Sequence, residues 1–169
     1  MYPALRALML AASLGPISFG MTLPALAQTT ISLTGLQQDT SLPVEVEADS
    51  LSVDQASEVA IFTGNVRITQ GEMTITASEA QVDYLAGGGG IERLRLKGRV
   101  LFTSPTDAAE SDDAVYTIAT GEVVMTGDVL LTQGTSTIAG SRLVYNLDAG
   151  TGTMEGRVQT VFVPGKATP

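Results

Sequence analysis

The sequence predicts an all-β protein, an elongated, solenoid-like β-jellyroll or two-sheet sandwich built from stacked short antiparallel strands with open edges at both ends. Three observations carry this expectation. Apolar and polar residues alternate along most of the chain, and a Gly-x-Val triplet recurs at near-constant intervals. Beyond the N-terminal leader, no stretch keeps apolar residues three and four apart over a useful helix length.

The first 27 residues are a separate text. Arg6 is their only charge, an apolar run extends from Ala7 through Met21, and Ala25-Leu26-Ala27 places small residues at the two positions a signal peptidase reads. They predict a secretory signal peptide cleaved near Ala27-Gln28. Gly15-Pro16 and Gly20 disfavour a membrane-spanning helix there, and no basic stop follows the run. Residues 28–42 mix polar and apolar side chains without a clear period and read as a partly ordered leader. A β domain is expected over 43–164 and a polar tail over 165–169.

Within the β domain, Val44, Val46 and Ala48 alternate with Glu45, Glu47 and Asp49, as in a strand with one dry and one wet face. Phe62, Val66 and Ile68 then oppose Thr63, Asn65, Arg67 and Thr69. Met73, Ile75 and Ala77 oppose Thr74 and Thr76, and Val82 and Tyr84 follow.

The triplets Gly64-Asn65-Val66, Gly98-Arg99-Val100, Gly127-Asp128-Val129 and Gly156-Arg157-Val158 lie 34, 29 and 29 residues apart. A second unit recurs between them, as ADSLSVD from residue 48, ASEAQVDY from 77, SDDAVYTI from 111 and GSRLVYNL from 140, with starts 29, 34 and 29 apart. Units this small cannot bury a dry face alone, so they stack and share one. Stacking leaves a free strand edge at each end. The triplet glycines read as bulges or corners in strands. A phosphate-binding loop would need Gly followed by Lys and Ser/Thr at a helix start, a pattern the chain lacks. Gly87 to Gly90 reads as a flexible hairpin tip.

Composition narrows the function classes. The 169 residues are 44% apolar, enough for the core of one domain. Cysteine and histidine are both absent, which removes disulfides, thiol nucleophiles, imidazole bases and His/Cys zinc sites. Without the signal peptide, 8 basic and 18 acidic side chains leave a net charge of −10, which repels nucleic acid and anionic membranes. Glu110, Asp112 and Asp113 form the densest carboxylate cluster, but no calcium-loop spacing surrounds them, and a solvated loop is expected. No catalytic residue, metal or cofactor is expected, and the chain does not read as an enzyme.

The stretch PVEVEADSLSVD, followed after a short turn by FTGNVRITQGEMTITASEAQVDY, resembles the OstA-type domain of the LptA family of lipopolysaccharide-transport bridge proteins. The resemblance continues through AVYTIATGEVVMTGDVLLTQGTSTIAGSRLVYNLDAGTGTMEG to VFVP and covers roughly residues 43 to 164. It implies a twisted β-jellyroll in the periplasm, associating head to tail through its strand edges between LptC-like and LptD-like partners. It also implies that lipopolysaccharide rides with its acyl chains in the apolar groove between the sheets.

By the same resemblance Val44 and Val46 match a lipid-facing pair, Tyr116 and Ile118 match a second one, and Phe102 lies near a family aromatic. Phe62, Val66, Ile68 and Ile75 share the inward parity and complete the candidate groove. Tyr84, Leu96, Val129, Leu131, Leu143 and Tyr145 share it too and are assigned to general core. Arg93, Arg95, Lys97 and Arg99 form the one basic strand and read as a solvated face. Other readings stay open on sequence grounds: an LptC-like or other OstA-domain component of the same pathway, a structural β-polymer without lipid, or a polysaccharide-acting β-solenoid enzyme.

Overall fold

The computed structural model describes residues 29–32 and 34–162. The expected signal peptide and the tail over 165–169 lie outside them. In chain order the strands are β1 (Thr29–Ser32), β2 (Glu45–Glu47), β3 (Ser50–Asp54), β4 (Val59–Gln70), β5 (Met73–Tyr84), β6 (Ile91–Thr103), β7 (Asp107–Thr117), β8 (Glu122–Gln133), β9 (Ser136–Asn146), β10 (Thr151–Glu155) and β11 (Gln159–Val161). Two single 3-10 turns, Thr34–Leu36 and Ile118–Thr120, are the only helical elements among the described residues.

All pairings are antiparallel, in the order β1-β10-β9-β8-β7-β6-β5-β4-β2, with β3 on β4 and β11 on β9. The expectation of short strands needs correction. The six central strands run 11 to 13 residues each. What recurs is a bend in the middle of each.

The bend is where the repeated glycines sit. Gly64 packs against Asp49, Gly98 against Ser78, Gly127 against Asp112 and Gly156 against Ser141. All four glycines have positive φ, from 76° to 102°. In the β4–β5, β6–β7 and β8–β9 pairs two residues oppose one at this point, and the register shifts between Thr63 and Val66, Lys97 and Val100, and Thr126 and Val129. This is the glycine bulge, which bends a strand and tightens its twist. The 29- and 34-residue repeats therefore align one bulge beside the next across the sheet.

The bulges also reset the alternation. On β5 the buried residues are Met73, Ile75 and Ala77 before the bend and Ala80 and Val82 after it. On β7 they are Asp107, Ala109 and Ser111, then Ala114 and Tyr116. A slip of one residue moves a strand's apolar set to the other face. The single residues Ser78, Asp112 and Ser141 absorb that slip, so the inner face stays dry through the bend.

Bent along this column, the sheet folds over on itself. The proof is a hydrogen bond from the Tyr116 hydroxyl to Gln70 Oε1 at 2.9 Å, linking β7 to β4 although β5 and β6 lie between them in the sheet. With strands about 4.8 Å apart, such a bond cannot span a flat sheet. The two half-sheets enclose a single core whose largest fully buried side chains include Tyr116, Phe102, Ile68, Met73, Leu94, Leu96, Met125 and Leu143.

Both ends of the array stay open. Among the described residues, β2 and β3 at one end are two pieces of a broken strand, each paired only with β4; at the other end β1 pairs only with β10 and β11 only with β9.

Candidate functional site

The space between the half-sheets is the candidate site, and in this structure it is filled. Of the candidate groove residues, Val66, Ile68, Ile75, Phe102 and Tyr116 are buried, whereas Val44, Val46, Phe62 and Ile118 are partly buried and pack against the core. Ile75, Phe102 and Tyr116 come from β5, β6 and β7 in the middle of the sandwich, and Val66 and Ile68 from β4, the strand that β2 and β3 flank. Val44, Val46 and Phe62 come from the β2–β3–β4 end, where Val46 sits across from Ile68 and Phe62 across from Leu51.

Leu96, Val129, Leu131, Leu143 and Tyr145 are buried, but Tyr84 is 38% exposed and is not core. It ends β5, next to a register shift at Asp83, so its inward parity has no sheet left to face. Two residues of the open end were absent from the candidate groove. Leu51 and Val53 on β3 are 55% and 60% exposed and pair with Phe62 and Ala60. They lie on the side of the sheet that elsewhere faces the core. Their signal was present in ADSLSVD, where they alternate with Ser50, Ser52 and Asp54.

The polar groups at the interior are few. Burial pushes the Tyr116 phenol up to about 12, helped by the Asp148 charge and opposed by the bond to Gln70. Burial, with the Asp107 charge, likewise raises Tyr145 to about 12. Asp107 itself is 4% exposed, and its Oδ2 has no hydrogen-bond partner among the described residues. Burial raises its carboxyl above the ordinary value of 3.8, against hydrogen bonds from the Gly35 amide and Thr106.

A carboxyl whose pKa is raised by folding weakens the native state at pH above that pKa and costs nothing once both states are protonated. Asp107→Asn is therefore expected to be more stable than wild type at pH 7, with the gain shrinking as pH falls toward 3.8. Urea unfolding of both proteins at several pH values checks this. A gain independent of pH would refute the assignment to ionisation.

The outer face carries the charge. Arg95 bonds Asp83 at 2.8 Å, Lys97 lies 4.0 Å from Glu79, and Arg93 lies 3.5 Å from Glu92. Burial acts to raise Asp83, but hydrogen bonds from Gln81 and Arg95 and the charges of Arg95 and Arg93 outweigh it, leaving its carboxyl below the usual range. The basic strand is thus largely neutralised by acidic neighbours. Arg99 lines an outer cleft of about 650 Å³ at the bend, with Asn65, Arg67, Glu110, Asp112 and Asp128 among its walls. Charged side chains of both signs thus face one another across this cleft, outside the interior. Asp112 packs on Gly127 at the bulge, while Glu110 and Asp113 are exposed. Among the described residues no acidic group gathers three ligands in metal-binding geometry.

Fold and interior together define a class: an open-edged β-jellyroll, bent along a glycine column, with a dry interior between its halves. Residues 45–151 match the family described as LptA/(LptD N-terminal domain) LPS transport protein. The chain is 32% identical to the lipopolysaccharide export system protein LptA of Escherichia coli K12 over 143 residues, covering 76% of this chain and 75% of that one. It is also 32% identical to an uncharacterized protein of Rhizobium meliloti strain 1021, over 83% and 82% of the two chains. The crystal structure of LptH, an LptA-homologous periplasmic component of the lipopolysaccharide transport device of Pseudomonas aeruginosa, superposes with a TM-score of 0.67 at 21% identity, over 75% of this chain and 99% of that one. The chain belongs to the LptA/LptD N-terminal-domain family of lipopolysaccharide transport proteins.

Proposed function

We propose that this protein is a periplasmic lipopolysaccharide carrier that assembles head to tail into a bridge from the inner to the outer membrane, meeting LptC-like and LptD-like domains at its two ends. Family membership supports the cargo. The observation that supports the assembly is the pair of ends left open among the described residues: Leu51 and Val53 stand exposed at the β3 edge, and Val161 and Phe162 stand 61% and 73% exposed at the β11 edge. An edge strand presents N–H and C=O groups with which another chain can pair, and the exposed apolar side chains beside these edges give such a chain a dry surface to cover.

Transport along such a bridge is passive. Each methylene moved from water into a dry track gains about 0.8 kcal/mol, so a continuous interior offsets the cost of exposing acyl chains between membranes. Val44, Val46, Phe62 and Ile118 are the groove residues nearest to solvent and meet the lipid first. Val66, Ile68, Ile75, Phe102 and Tyr116 meet it once the interior opens.

A photo-crosslinking amino acid at Val46 or Phe62 is expected to trap lipopolysaccharide in cells, while one at exposed Gln55, outside the groove, traps none. Absence of a lipid adduct at every inward position would sink the carrier reading and leave a β-polymer without cargo.

A further inference from the structure

Residues 34–42 run across the mouth of the folded sheet, opposite the glycine bend. On one half-sheet the Gln38 amide donates to the Leu147 carbonyl at 3.0 Å. Gln37 Nε2 donates to the Asp148 carbonyl and Thr40 Oγ1 to Asp148 Oδ1, both at 2.8 Å. On the other half-sheet Gln70 Nε2 donates to the carbonyls of Thr40 at 3.0 Å and Leu42 at 2.9 Å. The segment is thus a strap joining the two turns that flank the opening.

The strap also enters the interior. Leu36 is 3% exposed and packs among Phe102, Ala109, Val123, Met125, Leu143 and Tyr145, where about 10 Å³ of free space remains. That is no more than one water requires. Gly35 permits the approach, since a side chain there would strike Thr106 and Asp107. No acyl chain fits beside Leu36 as it stands.

We propose that residues 34–42 form a releasable strap whose Leu36 occupies the place of an acyl chain, so that lipid entry and strap displacement are one event. This rests on the carrier reading above. A branched aliphatic side chain and a run of methylenes satisfy the same dry surface, so one can replace the other. The strap is built to leave: residues 34–42 are tied by separate hydrogen bonds at strand ends and a turn, without a strand ladder, and Gln37, Asp39, Ser41 and Leu42 are exposed. Segments with few buried contacts open ahead of the global transition. Gln70 couples strap to interior, because its amide holds Thr40 and Leu42 while its oxygen accepts from Tyr116.

The chain has no cysteine, so Thr40→Cys with Asp148→Cys supplies a single disulfide across the touching pair. Binding through a scarcely populated open state is weakened by its population, so the oxidised double variant is expected to take up fluorescently labelled lipopolysaccharide at least about tenfold more slowly than the reduced form. Each single variant is expected to be indifferent to oxidant. Equal uptake by the oxidised and reduced double variant overturns the proposal. If even wild type takes up no lipopolysaccharide, the carrier reading fails instead. Hydrogen exchange gives a second readout on the wild-type chain without a disulfide. The Gln38 amide is expected to lose protection on lipid binding while that of Leu96 keeps it, and a Gln38 amide still protected in the lipid-bound protein overturns the strap.

Discussion

Gly98→Val is expected to destabilise the protein by about 3 kcal/mol, the sum of overpacking and backbone strain at a bulge. A Cβ at Gly98 would stand 2.7 Å from Ser78 Oγ and 2.8 Å from Ser78 Cβ, and the residue holds φ at +76°. Both terms act at the point where the sheet folds over, so the loss reaches the packing of both halves. Ser78→Gly in the same chain removes the steric term and leaves the backbone term. The double variant should therefore recover part of the loss, and a double-mutant cycle in urea measures the recovered part as coupling. Additive single effects would show that Ser78 does not limit what position 98 can hold.

The second large effect concerns assembly and leaves the fold alone. Leu51→Asp with Val53→Asp places two charges on an edge whose side chains are already 55% and 60% exposed. Burying each side chain against a neighbour contributes roughly 1.5–3 kcal/mol, so losing both weakens end-to-end association by more than about a hundredfold. On the proposed end-to-end assembly, sedimentation velocity should show wild type as oligomers and the double variant as a monomer at the same concentration, with an unchanged thermal midpoint. Outer-membrane lipopolysaccharide should fall in cells carrying the variant alone. Oligomers as robust as those of wild type would move the interface away from β3.

Much of the architecture was legible in the alternation and in the repeats. Period two marks a strand with one dry face regardless of where that strand lies, so Val66, Ile68 and Ile75 could be assigned to the interior from their neighbours alone, whereas Phe102 entered through the family resemblance. The Gly-x-Val spacing likewise pointed to corners. Tyr84 shows the limit of this reasoning, for it has inward parity on a strand whose sheet has ended. Leu51 and Val53 show the converse: their alternation reads as core, yet no strand covers them, and exposure turns them into candidate contact residues.

Leu36 was the least legible residue. It lies in a leader with no period, and its burial follows from a mouth formed by residues 102 to 147, far along the chain. The phase slips at Ser78, Asp112 and Ser141 were hidden for a related reason: a period interrupted by one residue looks like two short strands until the pairing shows one long bent strand.

Local chemistry thus accounts for the strand-rich chain, its dry stripe, its repeated corners and its family resemblance, since each depends on residues within a few positions of one another. The closed interior, the strap across its mouth and the apolar open ends depend on which strands become neighbours. Tyr116 meets Gln70 across 46 residues, and Thr40 meets Asp148 across 108. Contacts at that separation are set by how the bent halves pack, a property of the folded chain that no local period records.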